Sequence, residues 1–137
     1  MPGYTVQINS TYEEVDAVVD EILDYLQSNC RLENEHLVFI INFTLRELLI
    51  NAVEHGNKLI KEKRVMCVVS FTDNDICIDV FDEGNGFKLK KRMSEIAKED
   101  MLRLRGRGIY IITKMGFDLR VEDNHVTAKM NFSKSLA

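Results

Sequence analysis

Glu47, Asn51 and His55 repeat at a spacing of four in an otherwise apolar stretch. On a helix, side chains four apart stack along one stripe. A carboxylate, a carboxamide and an imidazole on one stripe can move protons or hold a polar ligand. Around them Leu37, Val38, Ile40, Ile41, Leu45, Leu48, Leu49, Ala52 and Val53 recur at helical spacing and cover a wide apolar face. The pattern predicts a mostly buried helix over residues 34–53, with Gly56 just past its end. A polar stripe on such a helix must face water, a partner or a ligand, because unpaired buried polar groups are costly. Taken alone it reads as the solvated edge of an amphipathic helix.

Two glycine loops downstream change that reading. Asp82-Glu83-Gly84-Asn85-Gly86-Phe87 ends a strand-like run, and Gly106-Arg107-Gly108 opens a short helical one. Each alone is weak, since Gly-x-Gly recurs by chance in turns. The first loop is not a dinucleotide fingerprint: it lacks the third glycine and a marked helix behind it. No Gly-Lys-Ser/Thr phosphate loop is present either.

The elements that must position these residues follow from periodicity. Tyr4, Val6 and Ile8 alternate with polar residues, so residues 4–9 read as a strand. Ser10-Thr11-Tyr12-Glu13 has the Ser-x-x-Glu form of a capping box. A helix follows to about residue 29, with Val15, Val18, Val19, Ile22 and Leu26 on one face and a solvated acidic face opposite. Residues 65–71 form an almost continuous apolar run, a strand buried on both sides or nearly so. Residues 76–81 form the next strand, and the short turn between makes a hairpin. Residues 88–105 are basic at first and thin in core material, so they read as a mobile surface segment. A short helix from Gly106 carries Ile109, Ile111, Ile112 and Met115, and strands over 117–122 and 126–132 close the chain. The order β α α β β, mobile segment, α β β predicts an α/β two-layer sandwich. Its helices lie on one face of a mixed, largely antiparallel sheet.

Composition narrows the classes. A chain of 137 residues is one domain with a real core. A net charge of −4 disfavours a direct nucleic-acid surface. No run of apolar residues approaches a membrane span, and the first residues lack a signal pattern, so neither membrane nor export is expected. Cys30, Cys67 and Cys77 match no redox pair or zinc set, and Cys67 and Cys77 read as core thiols. A reducing, cytoplasmic setting fits.

The order of motifs is the specific signal: Glu-x-x-x-Asn on a helix, Asp-x-Gly-x-Gly after a strand, then Gly-x-Gly opening a helix. It resembles the asparagine box and two glycine boxes of the GHKL ATPases, DNA gyrase and the histidine kinases among them. Asn51-Ala52-Val53-Glu54-His55-Gly56 and Arg105-Gly106-Arg107-Gly108-Ile109-Tyr110 resemble the branch of anti-sigma factor serine/threonine kinases. The resemblance covers nearly the whole chain and implies a Bergerat ATP-binding fold, one kinase domain over 1–137 with an ATP lid at about 88–105.

By that resemblance Asp82 accepts a hydrogen bond from the adenine amine, where guanine presents a carbonyl. Gly84 and Gly86 let the backbone approach the nucleotide. Asn51 supplies an amide oxygen to Mg²⁺, a hard ion that keeps several waters and otherwise takes phosphate oxygens. Gly106 and Gly108 hold phosphates at a helix start, with Arg105 and Arg107 beside them. Glu47 is the general base. His55 supports Asn51 or the phosphates, with a structural helix-end role as the competing reading. Thr127 matches a last-strand threonine near the adenine. The segment Lys88-Leu89-Lys90-Lys91 departs from relatives that often carry proline there.

The implied function is an ATP- and Mg²⁺-dependent anti-sigma factor serine/threonine kinase. It would phosphorylate an anti-sigma-factor antagonist and sequester a sigma factor, and the resemblance leaves a homodimer open. The alternative is a non-catalytic ATP-binding regulatory module whose partner binding is switched by nucleotide.

Overall fold

Alternation along the strands gives one apolar sheet face, and the helices bury it. The computed structural model describes residues 3–30, 32–84, 87–92 and 107–132. The strands are β1 (Gly3–Asn9), β2 (Arg64–Phe71), β3 (Asp75–Phe81), β4 (Phe87–Arg92), β5 (Asp118–Asp123) and β6 (His125–Asn131). They form one six-stranded sheet in the order β1-β2-β3-β6-β5-β4, antiparallel at every described pair. The helices are α1 (Tyr12–Asn29), α2 (Glu35–Asn51) and α3 (Arg107–Lys114). Alpha2 runs on through one π-helical turn, Ala52–Gly56. This is the predicted two-layer α/β arrangement.

Register aligns the core face. Val69 pairs with Ile78, Ile78 with Ala128, and Ala128 with Leu119, all buried. Over them lie Val19, Ile22 and Leu26 of α1 and Ile41, Leu45, Leu49 and Val53 of α2 and its extension, each 0% exposed. Truncating any of the α2 leucines to alanine should cost about 2–5 kcal/mol. By length and composition, the helix Glu35–Gly56 would suffice to cross a membrane. Counting consecutive apolar residues missed this, because Asn42, Arg46 and Glu47 interrupt the run. Its apolar side is instead the inner face of the helix layer.

Three local expectations shift. Thr11, not Ser10, is the N-cap of α1, accepting from Glu14 N. The Glu14 carboxylate reaches back to Asn9 N, so the box is displaced by one residue and Ser10 is released for another use. Residues 88–92, read as the start of a mobile segment, join Phe87 in β4 against β5. Lysine-rich composition hid the strand, although lysines suit a sheet edge. The remainder of that segment, 93–105, lies outside the described residues. Finally, Cys67 is a core thiol, but Cys77 is half-buried on the opposite sheet face, because Ile76 and Ile78 take the inward positions.

Candidate active site

Asn51 is the last α-helical residue before the backbone widens into the π turn. Such turns are rare and concentrate at functional sites. The widening is closed by Asn57 N donating to Ala52 O at 2.8 Å. Asn51 is 6% exposed, and its Nδ2 has no hydrogen-bond partner among the described residues. A buried donor without an acceptor is costly. A phosphate oxygen would satisfy it, leaving Oδ1 for a cation.

Asp82 lies at the end of β3 and is 5% exposed. Its N donates to Asn124 O at 2.9 Å, and Asn124 Nδ2 donates back to Asp82 O. Gly84 N donates to Asp82 Oδ1 at 2.8 Å, an Asx turn that fixes the carboxylate. The π turn and this loop touch through two glycines. A Cβ on Gly56 would stand 2.3 Å from Asp82 Oδ2, and one on Gly84 would stand 1.9 Å from Gly56 O. Neither position accepts a side chain without opening the loop.

Glu47 lies one turn before Asn51 and is half-buried. The first turn of α3 is laid over it: a Cβ on Gly108 would stand 1.9 Å from Glu47 Oε2. Burial raises the proton affinity of this carboxyl, and the negative charge of Glu54 raises it further. It is a stronger base than an exposed glutamate when ionised.

The fold thus brings Glu47 to Gly108 and Asp82 to Gly84, with Asn51 on the helix between Glu47 and the π turn. His55 is exposed on that turn. Arg107 begins α3. Gly86, Arg105 and Gly106 lie outside the described residues. Thr127 is not brought to this group. It pairs with Asp79, and its Oγ1 donates to Asp79 Oδ1 at 2.7 Å, beside His125 Nε2. Val126 and Ala128 take the inward positions of β6, so Thr127 faces the side of the sheet away from the helices.

Sequence reasoning missed Gly56 as a contact to Asp82, Asn57 and Asn124 as its supports, and Glu54 as the charge near Glu47. Asn57 and Asn124 belong to no motif in the sequence, and only the tertiary fold distinguishes them. Among the described residues no group of three or more His, Cys, Asp or Glu is placed to hold a metal ion. A cation here would rest on Asn51 and on oxygens of a bound phosphate, the coordination Mg²⁺ prefers.

The sequence matches the family described as the histidine kinase-like ATPase domain over residues 8–132, from the end of β1 through the last residue of β6 and Phe132. A comparison with curated proteins gave no match. The match spans every element of the site, and it makes the chain an ATP-binding module of the GHKL type. On this match the chain belongs to the histidine kinase-like ATPase family.

Proposed function

We propose that this protein is an ATP-dependent serine/threonine protein kinase of the anti-sigma factor kind. The observation that carries the reading is the Glu47 carboxylate, held against the first turn of α3 one turn from the buried Asn51. A purely structural glutamate has no need of that place. The amino end of α3 points the backbone N–H groups of its first turn at phosphate oxygens. Asp82 receives the adenine amine, and the unmet Nδ2 of Asn51 meets a phosphate oxygen. The Asn51 carboxamide oxygen would hold Mg²⁺ beside the phosphate oxygens, and the ion would supply neutralisation of charge on the transferring group.

In transfer, Glu47 takes the proton of a serine or threonine hydroxyl on the partner. The hydroxyl oxygen bonds to the γ-phosphorus as the bridging P–O bond to the β-phosphate breaks, and ADP leaves with that electron pair. The raised proton affinity of Glu47 suits this step. The partner is an anti-sigma-factor antagonist, and a sigma factor competes for the same protein in its ATP-bound state. Three free cysteines suit a reducing, cytoplasmic setting. Incubation with γ-labelled ATP, Mg²⁺ and an antagonist protein should label the antagonist on serine or threonine. Nucleotide and antagonist binding without label would leave ATP as an effector only.

A further inference from the structure

Asn57 is 0% exposed, although it follows the exposed His55 by only two residues and precedes five exposed ones, 58–62. Every polar atom of its side chain is used. Oδ1 accepts from Glu83 N at 2.7 Å. Nδ2 donates to Arg64 O at 3.0 Å and to Ser10 Oγ at 2.9 Å. The orientation is unambiguous, because a backbone N–H can only donate and a carbonyl can only accept. Ser10 Oγ in turn donates to Lys63 O at 2.7 Å, which is the use its displacement from the N-cap allows.

These bonds join three segments at one point: the turn before α1, the start of β2 and the loop after β3. Glu83, which donates to Asn57, adjoins Asp82, and Gly56, where any Cβ would run into the Asp82 carboxylate, adjoins Asn57. Asn57 therefore fixes both backbone pieces that bracket the carboxylate. A second observation marks the same point as over-determined. Lys58 and Leu59, immediately after it, both have left-handed backbone, φ 56° and 59°. Side-chain-bearing residues rarely adopt that conformation, and two in succession persist only where surrounding bonds impose it.

We propose that Asn57 is a positioning residue for nucleotide selection: it holds the loop that aims Asp82, and so sets the preference for adenine over guanine. The inference rests on Asp82 as the adenine contact. A carboxylate selects between an amine and a carbonyl only if its direction is fixed. The Asx turn with Gly84 N fixes the carboxylate within its loop. The Asn57–Glu83 bond, beside the Glu83 carboxylate that accepts from Arg64 N at 2.7 Å, fixes the loop itself, while the bonds from Asn57 to Ser10 and Arg64 supply stability. The two functions of one carboxamide are separable by substitution.

The test is calorimetric titration of the full chain with Mg²⁺–ATP and with Mg²⁺–GTP, beside thermal melts. Asn57→Ala should weaken ATP about tenfold or more while GTP changes about threefold or less, so the selectivity ratio falls. Asn57→Asp keeps the acceptor for Glu83 N and loses both donations. It should melt lower yet keep a ratio near wild type, and it serves if the alanine variant does not fold. Ser10→Ala should likewise lower the melting temperature and leave the ratio unchanged. A folded Asn57→Ala with the wild-type ratio overturns the proposal and leaves Asp82 as the adenine contact untouched. An Asn57→Asp ratio as low as that of alanine overturns it as well. A wild type that does not discriminate ATP from GTP removes the Asp82 reading and this inference together.

Discussion

Gly108 lies directly on the carboxylate of Glu47, so close that a Cβ would stand 1.9 Å from Oε2. The contact joins the proposed base to the helix start proposed to hold phosphate. It also makes position 108 a probe of position 47.

Gly108→Ala displaces the Glu47 carboxylate, the movable end of its side chain, so overpacking should cost about 1 kcal/mol and offset the better helix propensity of alanine. In a Glu47→Ala background the obstruction is gone, and the same change should be neutral or stabilising. Urea titrations of the four chains should therefore give a coupling of about 0.5–3 kcal/mol. Additive effects would mean that the two residues do not touch in solution.

Burial and the charge of Glu54 raise the Glu47 pKa above its ordinary 4.5. A carboxyl with a raised folded value favours folding while protonated. That contribution is full below the unfolded value and is lost as pH rises through the folded one. Glu47→Gln should then raise the melting temperature of the nucleotide-free protein at neutral pH. The advantage should shrink as pH is lowered towards 4.5. A difference that is constant with pH would contradict the stated electrostatics.

Asp82→Asn keeps an oxygen for Gly84 N but puts an amide where the adenine amine needs an acceptor. ATP affinity should fall by about 1.5–3 kcal/mol, the worth of a hydrogen bond to a charged group. Circular dichroism should show an unchanged fold. Unaltered ATP binding by the folded variant would remove Asp82 from the base contact.

Thr127→Val tests the displaced residue. It deletes the bond to Asp79, which keeps His125 at 2.7 Å, so stability should fall by about 1 kcal/mol. ATP affinity should stay within about twofold, since β6 turns Thr127 away from Asp82. A large loss of ATP affinity would place the base on the other face of the sheet.

The parts of the fold legible in sequence were those written as periodicity. Alternation of Tyr4, Val6 and Ile8 in β1 and the helical spacing of Ile41, Leu45 and Leu49 each name a core-facing side without tertiary knowledge, whereas β2, read as an apolar run buried on both sides or nearly so, alternates buried with half-buried residues. Beta4 was not legible, because a lysine-rich edge strand resembles a loop in composition. In the site, Glu47, Asn51 and Asp82 were visible as motif residues. Asn57 was not, because its role arises from Ser10, Arg64 and Glu83, which are remote in the chain. The facing of Thr127 was not legible for a related reason: matching a threonine by position does not give its facing, and a shift of one residue on a strand reverses it.

Glu47 as the base of phosphoryl transfer is the central claim, and one comparison tests it most directly. Wild type and Glu47→Ala are each incubated with γ-labelled ATP, Mg²⁺ and the antagonist protein, after melts with and without ATP show both folded and nucleotide-bound. The account predicts ATP affinity close to wild type in the variant and transfer slower by about 10²–10⁴-fold, the usual worth of a positioned general base. A folded Glu47→Ala that binds ATP and labels the antagonist at the wild-type rate would contradict it.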